Sequence, residues 1–263
     1  AQALTVVKAD RDVTMAFPTK DFTGAFLKRG AGTCFINADW TSTWTPGNIW
    51  SVGMSLRGGS NVLEGASLSL AGLTLAVGYV SGETDDTQPN VFEVCDGATI
   101  TAANLQLNQD DKGAGSQDVV MRQTGADSKV LFTHNALIGR YGSQAGMNTY
   151  ELVDGEFKVD TLYIGYPNAT GLLSSPAQFV QKGGVAIING IYCAASPSHE
   201  GYHYYLEGGE LVMNTSPWNV EDGIIRITGG ELHAKMTVVT DTRFTTDEGD
   251  LVFNVDAGRV LVL

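Results

Sequence analysis

Two carboxylate pairs are the first candidates for chemistry: Asp85-Asp86 and Asp110-Asp111, each inside a polar, turn-rich run. Two carboxyl groups held roughly 5–10 Å apart are what glycoside hydrolysis requires. The same oxygens suit Ca²⁺, a hard cation that takes about six to eight of them. Asp also favours turns for backbone reasons, so Glu83-Thr84-Asp85-Asp86 and Asp110-Asp111-Lys112-Gly113 read equally as solvated bends. Neither run has an EF-hand or a glycine-rich nonapeptide pattern, so calcium is the one cofactor the sequence admits and none is required. The stretch His199-Glu200-Gly201-Tyr202-His203-Tyr204 is the densest polar-aromatic text in the chain. A zinc site from two His at i and i+4 needs a helix, and Gly201 with the flanking strand text opposes one. His199, Tyr202, His203 and Tyr204 are therefore kept as a ligand-contacting patch, with loop packing as the ordinary alternative. Trp40, Trp44 and Trp50 lie within one short segment and suit either capping and inter-subunit packing or stacking on sugar rings. Cys34, Cys95 and Cys193 form no CxxC pair and read as small buried hydrophobes rather than metal or redox groups.

The elements that must position these residues are legible as a repeat. Alternating apolar residues, a Gly, and alternating apolar residues again recur, as in Glu151-Leu152-Val153-Asp154-Gly155-Glu156-Phe157-Lys158-Val159. Taking the last Gly of each phrase gives positions 65, 97, 125, 155, 184, 209, 230 and 258, with steps of 32, 28, 30, 29, 25, 21 and 28. Apolar positions alternate with period two, and Val, Ile, Thr and Tyr dominate, so the units are strands rather than helices. Two or three short strands per unit are too few for a propeller blade and suit an all-β, single-stranded parallel β-helix, a β-solenoid of about eight or more coils. At the ~4.8 Å strand spacing, eight coils make a rod of roughly 40 Å. Polar runs (81–90, 108–117, 167–176 and 195–202) follow the second strand of successive units and are expected to project from one side.

Near the N-terminus the text becomes more specific. Phe26-Leu27-Lys28-Arg29-Gly30-Ala31-Gly32-Thr33-Cys34-Phe35-Ile36 resembles the opening of the autotransporter-associated β-strand repeat, Leu-x-Lys-x-Gly-x-Gly-Thr-Leu-x-Leu. The Trp40–Gly47 segment stands where that family has its bend, and Val52–Leu56 where it has the next strand. The resemblance covers about 30 residues and implies a secreted or surface-displayed bacterial β-helix with an adhesive or structural role; it carries no catalytic residue. Trp residues in the bend, a shorter downstream unit and the lack of a C-terminal barrel region depart from the family pattern.

The chain has 263 residues, 16 basic and 29 acidic, for a net charge of −13, with 43% apolar residues and 32 Gly. Good apolar content with few charges excludes a disordered chain. The acidic balance opposes nucleic-acid binding, which rests on clustered Lys and Arg. No apolar run approaches the ~20 residues that span a bilayer. The start at Ala1-Gln2-Ala3 is read as the end left by removal of an export signal, a trimmed product being the other reading. Residues 1–30 are expected to form an N-terminal strand or cap segment and residues 31–263 one continuous solenoid. The final Val260-Leu261-Val262-Leu263 is apolar with no polar cap, and the first strands are equally strand-like. Uncapped complementary ends predict head-to-tail self-association, with a non-closing contact giving filaments. The expectation is a non-catalytic, secreted or cell-surface structural or adhesive protein whose partner is itself, with surface glycans as a further partner. The alternative is a polysaccharide-binding or polysaccharide-degrading β-helix.

Overall fold

A computed structural model describes residues 4–16, 18–45, 47–48, 50–78, 90–109, 118–141, 146–165, 176–193, 202–213, 218–220, 224–227, 231–234 and 261–262. For residues 109, 140, 141 and all those beyond 213, only the backbone is described. The chain is an all-β parallel solenoid. Its first coil is β1 (Leu4–Lys8), β2 (Val13–Met15) and β3 (Thr19–Phe22). The second is β4 (Ala25–Arg29), β5 (Cys34–Ile36) and β6 (Trp40–Ser42), and the third β7 (Val52–Leu56), β8 (Gly59–Glu64) and β9 (Ser67–Ser69).

Higher up, the third strand of one coil runs into the first strand of the next. After β10 (Thr74–Val77) and β11 (Asn90–Cys95), β12 (Thr99–Gln109) pairs with β9 through Thr99–Thr101 and with β10 through Asn104–Leu107. The same plan continues through β13 (Val119–Gln123), β14 (Lys129–Tyr141), β15 (Asn148–Leu152), β16 (Glu156–Ile164), β17 (Ala177–Gln181), β18 (Val185–Cys193), β19 (Tyr202–Leu206) and β20 (Glu210–Met213). Then come β21 (Trp218–Val220), β22 (Ile224–Ile227) and β23 (Glu231–Ala234), with β24 (Leu261–Val262) parallel to β23.

Among the described residues, the second face stacks nine strands, from β2 to β22. One inward column on this face reads Val13, Cys34, Asn61, Phe92, Met121, Tyr150, Phe179 and Tyr204, each the register partner of the next, and the backbone register continues to Ile225. The coils are therefore 21, 27, 31, 29, 29, 29, 25 and 21 residues long by subtraction. Strands before residue 30 belong to the same ladders, with β1 pairing β4 and β2 pairing β5.

Inside, aromatic rings stack along the axis. Phe179 lies between Tyr150, at 5.0 Å and nearly parallel, and Tyr204, at 4.9 Å. Phe157 from the third face tilts onto both Tyr150 and Phe179. The corner between the second and third faces explains the Gly phrase. Gly184 and Gly209 adopt φ of 64° and 75°, and a Cβ on either would stand within 2.4 Å of the carbonyl of Gly155 or Gly184 below. Only Gly fits a left-handed turn stacked this tightly.

Another corner lines up two columns. Val77, Leu107, Ile138, Ile164 and Cys193 stack in register, as do Asn90, Val119, Asn148, Ala177 and Tyr202. The polar runs expected to project from one side fall between these columns in sequence and lie, in whole or in large part, outside the described residues.

Candidate functional site

Alternation within each strand decides which side chains are free to act. In β19 it turns Tyr202 and Tyr204 into the core, both fully buried, and leaves His203 and Tyr205 outside, their rings 5.4 Å apart. Tyr202 and Tyr204 are thus removed from the expected ligand patch, because the period of two puts them on the inner face. Trp40 also points inward, against Phe22 at 4.9 Å and Phe26 at 5.1 Å, and is buried; Trp44 and Trp50 are half-buried. Asp85, Asp86, Asp110, Asp111, His199, Val260 and Leu263 lie outside the described residues, and Leu261 and Val262 are described in backbone only. Among the described residues, no group of three His, Cys, Asp or Glu is arranged to hold a metal.

Several polar residues that the sequence did not single out are buried and hydrogen-bonded. Gln123 and Gln181 are the last residues of β13 and β17 and stand two coils apart in one inward column of the second face. Gln123 Nε2 donates to the carbonyls of Ser128 and Glu156, both at 3.0 Å, while its Oε1 accepts from Tyr150 Oη at 2.9 Å. Gln181 repeats this plan two coils higher: Nε2 donates to the Glu210 carbonyl at 2.8 Å, and Oε1 accepts from Tyr204 Oη at 2.7 Å. Each amide ties a corner to the coil above. Burial pushes both phenols well above their ordinary pKa, which keeps them neutral donors. Lower down, the fully buried Lys28 donates from Nζ to the carbonyls of Gly30, Gly32 and Gly58, at 2.9, 2.7 and 2.6 Å. Its ammonium fastens the glycine turn of its own coil to the coil above.

On the outside of the second face, Glu93, Arg122 and Glu151 occupy successive rungs. Glu151 is nearly buried and pairs with both Arg122 and Lys182. Burial alone would raise its carboxyl; hydrogen bonds from Lys182 and Arg122, with their charges, override it and hold the group below the usual carboxylate range. A glycosidase acid needs the opposite shift. In this structure the ladder binds coils together.

The thiols are similarly quiet; Cys34 and Cys193 are buried as expected, whereas Cys95 is only half-buried, on the outer face of β11. Burial pushes Cys193 up to about 12, and burial together with Asp96, Glu93 and Glu64 pushes Cys95 up to about 11. Neither is a ready nucleophile at neutral pH.

The first coil differs. Its inward side chains Val7, Val13, Met15 and Phe22 pack on the core yet remain only half-buried. Their register partners one coil up, Lys28, Cys34, Ile36 and Ser42, are buried. Leu4 and Val6 point outward and are 60% and 49% exposed. Among the described residues, β1, β2 and β3 each pair on one edge only, with β4, β5 and β6. Among the described residues, this end of the prism therefore presents three strand edges with no further strand partner around an apolar floor. Such edges template the addition of further strands.

No family model, no curated protein and no solved structure matches the chain.

Proposed function

We propose that the protein is a non-catalytic structural or adhesive β-solenoid, secreted or displayed on a bacterial surface, that self-associates through its N-terminal coil. The observation that carries this reading is the half-exposed apolar floor of Val7, Val13, Met15 and Phe22, ringed by the edges of β1, β2 and β3, each with a strand partner on one side only among the described residues. A solenoid coil buries its interior only by stacking on another coil. Further support comes from the use of Lys28, Gln123, Gln181 and Glu151 to fasten successive coils. The surface-display part rests on the resemblance of the Phe26–Ile36 segment to autotransporter-associated repeats.

Light scattering across a concentration series, with negative-stain microscopy, tests the reading. Growing mass and end-joined rods are expected; a monomer at every concentration contradicts it. A polysaccharide-binding or polysaccharide-degrading role is the second reading. It is favoured by the polar runs that recur between two columns of stacked strand ends, since insertions at one place in successive coils often form a solenoid's binding face. Glycan arrays and a hydrolase and lyase screen address it. Activity that Asp85→Ala or Asp111→Ala abolishes would favour it over the structural role.

A further inference from the structure

Four places in the chain put Asp or Asn directly before Gly: Asp96-Gly97, Asp154-Gly155, Asn189-Gly190 and Asp222-Gly223. Such pairs share one reaction. The amide nitrogen of the Gly, unshielded by a Cβ, attacks Cγ of the residue before it and closes a five-membered succinimide. A folded chain permits this only where it already holds the reacting atoms in contact. The three described pairs differ in this respect, and Asp222-Gly223 lies outside the described residues. Gly190 stands inside β18, in register with Thr161, and Asn189 Nδ2 is tied to Asp160 Oδ1 at 2.8 Å. Asp96 takes the left-handed conformation, with φ of 53°, and its turn is closed by Ala98 N donating to the Cys95 carbonyl. At Asp154-Gly155 the arrangement is the reactive one. Gly155 N donates to Asp154 Oδ1 at 2.7 Å, which sets the nitrogen against the carboxyl group it would attack. Asp154 is exposed to the water that the reaction releases and takes up.

The fold demands the Gly and not the Asp. Gly155 has φ of 90°, and a Cβ there would lie 2.5 Å from the Ser128 carbonyl oxygen and 2.6 Å from that of Gly125. At the same bend, the next two coils place Gly183 and Gly208 before Gly184 and Gly209. The acid before Gly155 is therefore an addition to the turn rather than part of its geometry. We infer that Asp154-Gly155 is a modification site, at which the folded chain isomerises slowly to isoaspartate without an enzyme. With the carboxyl protonated, the N–Cγ bond forms, the Gly155 amide loses its proton and one carboxyl oxygen leaves as water. Water then opens the ring. Cleavage between the nitrogen and the α-carbonyl carbon leaves the main chain running through Cγ, one CH2 longer, with the α-carboxylate as its side group. The mass is unchanged and no other reactant enters. The extra CH2 falls where Val185 N donates to the Gly155 carbonyl at 2.8 Å and Glu156 N to the Ser128 carbonyl at 2.9 Å. The product thus loosens the joint that Gln123 and Tyr150 fasten. This inference is independent of self-association.

Ageing of the 263-residue chain for several weeks near neutral pH, then digestion and electron-transfer fragmentation, tests it. The fragments separate isoaspartate from aspartate at each site, and methylation by isoaspartyl methyltransferase counts the total. Isoaspartate should accumulate at residue 154 about ten-fold faster than at residues 96 and 189 of the same folded molecules. In urea, where the fold no longer holds the atoms together, that preference should vanish. The melting temperature of the wild type should fall as the modified fraction grows. Asp154→Glu keeps the charge but would have to close a slower six-membered ring, so its melting temperature should not change with age. Should that variant misfold, the comparison of sites within the wild-type chain still decides. Equal rates at the three sites of the folded protein, or an unmodified Asp154 after ageing, would overturn the assignment. A melting temperature that holds level while isoaspartate accumulates would overturn the loosened joint and leave the site standing.

Discussion

At Phe179 an interior ring is closed above and below, by Tyr204 and Tyr150, and a buried amide pins each tyrosine. At Met15, an inward residue of the first coil, there is a coil above, and β2 has no second strand partner among the described residues. The two sites share a backbone plan, a parallel strand with alternate side chains turned in. They differ in whether stacking is complete. Interior strength in this protein therefore belongs to the joint between coils rather than to any coil alone. On the proposed reading, that incomplete joint is the surface that takes a partner.

The largest expected contrast comes from deleting a ring at a finished joint. Phe179→Ala should cost about 3–5 kcal/mol in urea unfolding, because the rings on either side cannot close the gap. Gln181→Leu should cost about 2 kcal/mol, since Tyr204 Oη loses its acceptor and the Glu210 carbonyl its donor in a dry interior. An equal loss from Val13→Ala at the open end would erase the distinction between the two regions.

Glu151→Gln should have a smaller effect, about 1 kcal/mol at neutral pH, because Arg122 and Lys182 are half exposed and partly screened. Its pH dependence has a definite sign. The folded carboxyl titrates below its unfolded value, so its contribution is complete above the usual carboxylate pKa. That contribution disappears as pH falls through the lowered folded value. Thermal melts from pH 7 downward should show the wild type converging on the variant. A gap that widens in acid would contradict the ion ladder.

Smallest is Val13→Ala, about 0.5–1 kcal/mol for a half-exposed side chain. Its larger effect should be on association.

Much of this architecture was legible because solenoid stacking writes directly into sequence. Gly65, Gly97, Gly155, Gly184 and Gly209 mark left-handed turns at successive bends, Gly125 being the exception among those described, and the alternation of Tyr150, Leu152, Phe157 and Val159 marks the core. The first two coils were harder to read. Their corners between the second and third faces, at Ala16–Pro18 and Asn37–Asp39, carry no Gly, so the repeat surfaced only at the third coil. Asn108, with φ of 57°, stands in the column of Gly78, Gly139 and Gly165 and hides a fourth member of that row, because Asn is the side chain that best tolerates this region.

The fastening residues were missed for a different reason. Gln123 and Gln181 look like ordinary polar strand residues until the register shows that both face inward. Their signal was a Gln at an inward position directly before a turn, with a Tyr one coil on. Tyr202 and Tyr204 were misplaced by reading aromatic density without the period of two. The floor of the first coil was visible only as strand-like text, because half-burial depends on what stacks against it.

Hydrogen exchange on the intact chain, at low and high concentration, measures the central claim most directly. Amides of β1, β2 and β3 should exchange quickly in dilute solution and become protected as concentration rises, while those of β13, β15 and β17 stay protected throughout. Protection of β1–β3 that is independent of concentration, or concentration-dependent protection confined to the insertion corner, would contradict an associating N-terminal end.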